Sequence, residues 1–190
     1  MDLIKKTLIL LIDFHGHPIL GDNYTNELRY TTLHSLLQVD QERNIVSNHQ
    51  LGEIPVERGS NKLKEIHRIY NIEGVHNWDR IDPDRIPEHT IEDIENIFAK
   101  RNYKIDNVVI GGTNLAGCVL RSKPYSAIHW AKKGYHTQIH LPLCAEYQLP
   151  GLNQAERNSE ATSIMYNVIR ESKLFDKIDI TRSRDQLKLT

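Results

Sequence analysis

Two residues with reactive side chains follow apolar runs of the chain. Cys118 lies in the stretch GGTNLAGCVLRSK, residues 111–123, just beyond an apolar run that ends at Ile110. Asp13 ends the earlier apolar run TLILLI. A helix that begins near Cys118 would offer unpaired N–H groups and a partial positive charge, which favour the nucleophilic thiolate. The glycines before Cys118 also allow a sharp turn close to a substrate.

Each of these residues also has a purely structural interpretation. A cysteine is often a small buried hydrophobic residue, and an aspartate at a strand end is often a helix cap or a loop anchor. The run Asp-Phe-His-Gly-His that begins at Asp13 has metal-ligand residue types. However, His15 and His17 would face the same way only in an extended segment, and the glycine between them and the proline after them disfavour one. His129, His136 and His140 are predicted at exposed or strand-edge positions and not in a cluster.

Length and composition indicate one globular domain, residues 1–190. Hydrophobic residues make up 39% of the chain and charged residues 26%, which is typical of globular proteins. The net charge of −1 gives no argument for nucleic acid or an anionic membrane as a partner. Two cysteines do not form a disulfide framework. The first apolar run is too short to cross a membrane and no cleavage site follows it, so a buried strand and a cytoplasmic, reducing location are expected.

Strands and helices are predicted to alternate along the whole chain. The predicted strands are 7–14, 44–49, 104–112, 136–144 and 175–183; the predicted helices are 26–43, 62–72 (or a helix and then a strand), 91–102, 115–135 (with Pro124 kinking it or starting its second part) and 151–172; and 73–90 is expected to be irregular. This order favours an α/β fold with a mostly parallel sheet, helices on both faces and 106–110 as the central strand. Ligands bind beyond the carboxyl ends of such strands, where both Asp13 and Cys118 are expected.

The segment VVIGGTNLAGCVLRSKPYSAIHWAKKGYHTQI resembles the signature of the isochorismatase-like cysteine hydrolases. In that family an apolar strand leads through a glycine-rich turn, usually with a cis peptide, to a Thr-Asn or Thr-Asp pair and then to the cysteine. The matching residues here are Gly112, Thr113, Asn114, Cys118, Val119, Ala127, Gly134 and Tyr135. The family usually has fewer residues between the pair and the cysteine, and it more often has Thr-Ala where this chain has Ser122-Lys123-Pro124. The first strand, the last helix and the last strand are also similar, so the resemblance covers most of the chain and implies a three-layer α/β/α fold.

The resemblance implies a mechanism and a set of site residues. Cys118 would be the nucleophile that forms a thioester or thioimidate, and Asp13 would take the thiol proton and later activate water. Gly112, Thr113, Asn114 and Gly117 would line the oxyanion and substrate site, with the N–H groups of Gly117 and Cys118 as donors. The substrate would be a small amide, carbamoyl compound or vinyl ether, no cofactor would be needed, and the chain would form a homo-oligomer. Specificity would come from the loops 14–25, 50–60 and 73–90.

The family's catalytic lysine has no counterpart in the expected window, residues 77–94. Arg80 and Arg85 are the only arginines or lysines there, and Arg85 is the candidate replacement. Arginine keeps the positive charge, but its fork geometry differs from an ammonium group. Alternatively Lys62 or Lys64 folds into the site, or the site differs from the usual one.

The nicotinamidase subgroup has an Asp-x-His metal motif, whereas this chain has only His49 in SNHQLGE, so no metal is predicted.

Three interpretations of function follow. The first interpretation is a cysteine hydrolase, and the second is an inactive member of the same fold that serves as a binding or assembly module. A nucleotide-binding fold is a weak third, because no G-x-G-x-x-G follows a strand.

Overall fold

The computed structural model describes part of the chain. The described residues are 3–12, 31–32, 35–36, 44–49, 75–77, 90–100, 102–146, 149 and 151–189. Several predicted site residues and segments lie outside them: Asp13, Arg80, Arg85, Lys62, Lys64, and the segments 14–25, 50–60 and 62–72. Of the predicted helix 26–43, the four described residues 31–32 and 35–36 are helical.

Six strands of the described part form one parallel sheet. They are β1 (Ile4–Ile12), β2 (Asn44–His49), β3 (Val75–Asn77), β4 (Tyr103–Thr113), β5 (His136–Ala145) and β6 (Ile178–Thr181). Their order is β3-β2-β1-β4-β5-β6, and every pairing is parallel. The order reverses between β1 and β4, so the crevice beyond their carboxyl ends is the place where such sheets bind ligands. The predicted parallel sheet with 106–110 in a central strand is confirmed.

Helices connect the later strands. They are α1 (Ile91–Ala99), a π-helix (Leu115–Ser122), α2 (Ala127–Lys132) and α3 (Gln154–Ser172), with a short 3₁₀ helix at Arg184–Gln186. Thr90 caps α1 in a reciprocal capping box with Asp93, so the helix begins at Ile91, as predicted. Asn153 and Glu156 form the same box at α3, so that helix begins at Gln154 and not at the predicted residue 151.

Both faces of the sheet are covered by other parts of the chain. Leu8, Leu10 and Ile12 are fully buried in one cluster with Phe98 of α1 and residues of the later helices. Ile9 and Leu11 point to the opposite face, because side chains alternate along a strand, and they are also fully buried. The protein therefore has the expected three layers, since a parallel sheet is stable only when helices or loops cover both faces.

One local prediction was wrong, and a second holds in part. The segment 73–90 was expected to be irregular, but β3 at Val75–Asn77 pairs with β2. Three residues are too few to show a strand periodicity, so only the neighbouring strand defines this element. The segment 115–135 was expected to be a helix that Pro124 kinks or whose second part it starts. It is two helices separated by residues 123–126, because Pro124 cannot donate an N–H inside a helix.

Candidate active site

The ends of β1 and β4 lie side by side in the sheet. Ile12 is the partner of Gly112 in the parallel ladder. Gly112 has φ of +154°, and a Cβ there would lie 2.0 Å from the carbonyl oxygen of Ile12. Only glycine allows so close an approach of the two backbones. Asp13 is the next residue after Ile12 but is outside the described residues.

The turn after β4 is also held to β5 on its other side. Thr113 pairs with Ala145, and the Asn114 N–H donates to the Ala145 carbonyl at 2.9 Å. A Cβ at Gly111 would lie 2.3 Å from the Cβ of Leu143, so this glycine also allows a close contact. The peptide bonds of the turn are trans, unlike the cis peptide usual in the family that the sequence resembles. The turn is therefore fixed between two neighbouring strands.

A π-helix places Cys118 just after this turn. Asn114 adopts the left-handed conformation, with φ 63° and ψ 70°, and precedes the helix Leu115–Ser122. Its carbonyl accepts the Val119 N–H at 3.2 Å, an i to i+5 hydrogen bond. This wider turn accommodates the longer spacing between the Thr-Asn pair and the cysteine. Cys118 lies in its first turn and is half-buried.

The side chain of Asn114 contacts both the helix and the sulfur. Its Oδ1 accepts the Gly117 N–H at 3.1 Å, and its Nδ2 donates to Cys118 Sγ at 3.5 Å. The Gly117 N–H also approaches the Asn114 carbonyl at 3.2 Å. The Gly117 N–H, predicted from the resemblance as an oxyanion donor, is therefore engaged by Asn114. An anion bound there would have to replace Asn114 as its acceptor.

Sequence reasoning missed a buried carboxylate at this edge of the sheet. Glu146 follows β5, is 2% exposed, and accepts the Ala116 N–H at 3.3 Å. Its backbone N–H donates to Asn158 Oδ1 at 2.9 Å, and its carbonyl accepts Gln154 Nε2 at 2.8 Å. Glu146 thus ties the first turn of the π-helix to α3. Glu146 follows a strand directly, as Asp13 does, so its place after the run that ends at Ala145 was the signal that could have found it.

The second cysteine lies in a different environment. Cys144 is 4% exposed, and its Sγ lies 3.2 Å from the His140 carbonyl, in the geometry of a hydrogen bond. His140 was predicted at an exposed or edge position, but it is buried, with Nδ1 2.9 Å from Thr181 Oγ1. β5 lies between β4 and β6 in a sheet covered on both faces, so His140 is buried, as Thr137, Gln138 and Ile139 of the same strand are. Burial lowers the pKa of His140 to about 4.

The predicted site residues divide into two groups. Gly112, Thr113, Asn114, Gly117 and Cys118 all lie in one turn at the carboxyl end of β4. Asp13 and Arg85 lie outside the described residues, so their positions remain predictions. Among the residues that the structure describes, no three histidine, cysteine or acidic side chains are placed to hold a metal. No helix in the same part of the chain is long and apolar enough to span a membrane.

Comparison with known proteins finds similarity at the level of structure. No family model and no curated protein sequence matches the chain significantly. The nicotinamidase SaPncA from Staphylococcus aureus matches 94% of this chain and 100% of its own, with a TM-score of 0.54 and 14% identity. A putative hydrolase of the isochorismatase family from Chromobacterium violaceum matches 95% and 91%, with a TM-score of 0.55 and 13% identity.

A third similar structure is YcaC from Pseudomonas aeruginosa, determined with hexane-2,5-diol and covalent acrylamide. It matches 93% of this chain and 76% of its own, with a TM-score of 0.54 and 11% identity. At such identities the likeness concerns the fold and not the reaction. The parallel sheet, its strand order and these matches show that this chain has the isochorismatase-like fold.

Proposed function

We propose that the chain is a cysteine hydrolase of the isochorismatase-like type that acts on a small amide or carbamoyl compound, or on a vinyl ether. One observation carries the proposal. Cys118 follows β4 in the first turn of a helix, and Gly112 of β4 pairs with Ile12, the residue before Asp13. Chain segments that leave adjacent parallel strands begin at the same edge of the sheet, which supports Cys118 and Asp13 as one catalytic pair.

For an amide, the reaction proceeds in two halves. Asp13 takes the Cys118 proton, the thiolate attacks the carbonyl carbon, and the amine leaves with that proton, which gives a thioester on sulfur. Asp13 then removes a proton from water, the resulting hydroxide attacks the thioester, and the acid and the Cys118 thiol are released. The only co-reactant is water, so this chemistry needs no cofactor.

The developing oxyanion requires donors and a nearby positive charge. In this proposal the backbone N–H groups around Gly117 and Cys118 provide the donors, and Arg85 replaces the family lysine. Because Asn114 Oδ1 holds the Gly117 N–H, substrate binding would include a small shift of that side chain. The substrate is a small molecule, and we propose a homo-oligomer as the working assembly.

The alternative is an inactive chain of the same fold that serves as a binding or assembly module. The absence of lysine from residues 77–94 favours this alternative. Without a catalytic cation, the Asp13 carboxylate and the Cys118 thiolate would be two negative groups close together. Ionisation of both groups would then be unfavourable. The two functions differ in whether any substrate turns over, so a single assay separates them.

The test is hydrolysis of a panel of primary amides and N-carbamoyl compounds, measured as ammonia release, and of vinyl ethers, measured as release of the carbonyl product. Activity that is lost in Cys118→Ala and Asp13→Asn but kept in Cys144→Ala would support the cysteine hydrolase. The matched control is informative because Cys144 is buried at the end of β5. Incubation with acrylamide, read by intact mass, provides a second test, since a nucleophilic Cys118 would add to its double bond. No turnover of any compound together with no adduct on Cys118 would favour the inactive module.

A further inference from the structure

Asn114 occupies a position that costs free energy unless its side chain compensates. It has a left-handed backbone, which residues other than glycine adopt less readily, and it is only 6% exposed. A buried amide must also regain the hydrogen bonds that it made to water. Its contacts with Gly117 and Cys118 do so on both sides of the amide.

The orientation of this amide follows from its partners. The Gly117 N–H can only donate, so the atom of Asn114 that faces it must be the acceptor, Oδ1. The other end, Nδ2, can only donate, and it faces the Cys118 sulfur at 3.5 Å. A flipped amide would place two donors together at Gly117. The cap therefore determines that a donor faces the sulfur.

The residues around Asn114 keep the amide in this orientation. A Cβ at Gly117 would lie 2.4 Å from Oδ1, so glycine at this position leaves the space that the amide occupies. The backbone of Asn114 is fixed by its own N–H, which donates to the Ala145 carbonyl of β5. Before a substrate binds, the donor aimed at Cys118 is thus held by the sheet on one side and by the helix on the other.

An ordinary helix cap does not need this arrangement. Asn153, the N-cap of α3, also accepts a backbone N–H through Oδ1, from Glu156 at 3.0 Å. It does so from an extended backbone, with φ −73° and ψ 171°, and it is exposed. Asn114 therefore differs from this cap in its burial, in its backbone conformation and in the sulfur that faces its amide nitrogen.

We propose that Asn114 is a positioning residue that activates Cys118, because its Nδ2–H donates to the sulfur and favours the thiolate over the thiol. A thiolate accepts a hydrogen bond more strongly than a thiol does, so the contact stabilises the charged form. It also fixes the direction of the sulfur lone pairs relative to the turn after β4. The inference deepens the proposed function, since it takes Cys118 as the reacting group, but it assigns Asn114 to the sulfur and not to the substrate.

The test is the pH dependence of alkylation by iodoacetamide, in which the Cys118 thiolate displaces iodide. It is measured in a Cys144→Ala background so that a single thiol reacts. Asn114→Asp keeps the cap acceptor for Gly117 but replaces the donor with a carboxylate oxygen. We expect its alkylation at pH 7 to fall about tenfold and the midpoint of the rate profile to rise by about one pH unit.

Two further variants separate activation from folding. Asn114→Gly tolerates the left-handed backbone and removes both contacts, so its alkylation should fall about fivefold. Asn153→Asp makes the same change at a cap remote from sulfur and should change the rate less than twofold. Thermal unfolding of each variant is recorded. If Asn114→Asp does not fold, the alkylation of Asn114→Gly shows whether the Asn114 side chain activates Cys118.

The pH profile of alkylation can support the role of Asn114 or overturn it. A profile of a folded Asn114 variant that coincides with that of the parent, or that moves to lower pH, would overturn the inference and leave Asn114 as a cap alone. The alkylation requires no hydrolysis. A shifted profile in a chain that hydrolyses nothing would therefore support this inference while contradicting the proposed hydrolase.

Discussion

Gly112 and Ile12 approach each other so closely across the β1–β4 ladder that a Cβ on the glycine would lie 2.0 Å from the Ile12 carbonyl oxygen. This contact joins the strand that precedes Cys118 to the strand that precedes Asp13. The separation between these strands is therefore set by backbone packing and not by adjustable side chains. The geometry of the proposed site depends on it.

Gly112→Ala is expected to destabilise the fold by about 2–4 kcal/mol, because the new methyl group meets backbone atoms that cannot rotate away. The measurement is urea unfolding. Gly134→Ala is the matched control: its φ of +102° is also unfavourable for alanine, but no atom lies within 4 Å of the new Cβ. It should cost only about 1 kcal/mol. Equal losses in the two variants would show that the contact with Ile12 has no energetic weight.

Cys118 is expected to react with iodoacetamide at neutral pH much faster than Cys144. Cys118 is half-buried near a helix N-terminus, where N–H groups favour the thiolate, while Cys144 is buried within β5. Peptide mapping after limited alkylation measures the ratio. Asp13→Asn should weaken the labelling of Cys118 if Asp13 takes its proton. Preferential labelling of Cys144 would contradict the assignment of the nucleophile.

Glu146→Ala is expected to destabilise the fold by about 1–3 kcal/mol, because the partly buried Ala116 N–H would lose its carboxylate acceptor. Glu146→Gln keeps an acceptor oxygen and should lose less. Glu160→Ala, at an exposed position of α3, is the control and should stay within about 0.5 kcal/mol of the parent. Denaturant unfolding measures all three variants. A loss no larger than that of the control would exclude Glu146 as the tie between the π-helix and α3.

His140 is expected to make stability fall as the solution is acidified from pH 7 to pH 5. Burial lowers its pKa to about 4, whereas the unfolded side chain titrates near 6.5, so the unfolded state binds more protons between these values. Above about pH 6.5 His140 takes nothing from the free energy of unfolding. As the pH falls toward 4 the free energy of unfolding decreases, with a loss of about 2 kcal/mol at pH 5. Thermal unfolding as a function of pH measures it. His140→Asn should flatten this dependence; an unchanged slope would show that other groups cause it.

The local sequence determined the fold class and much of the element order. Apolar runs such as residues 7–12 predict strands covered on both faces, and Thr90 with Asp93 marks a helix start, because these signals involve residues a few positions apart. The same applies to Cys118, whose place after a strand and a glycine-rich turn can be seen in the sequence alone. Pro124 likewise indicated an interruption, although not that the two helices separate completely.

Only the tertiary structure decided how the turn around Cys118 is built. The π-helix depends on Asn114, which is fixed by the Ala145 carbonyl of β5, 31 positions further along the chain. Glu146 contacts the π-helix only because β5 ends beside the first turn of that helix, and His140 is buried because β5 lies between β4 and β6 in a sheet covered on both faces. These features arise from register between strands distant in sequence. No local pattern encodes that register, since it minimises the free energy of the whole sheet and not of one segment.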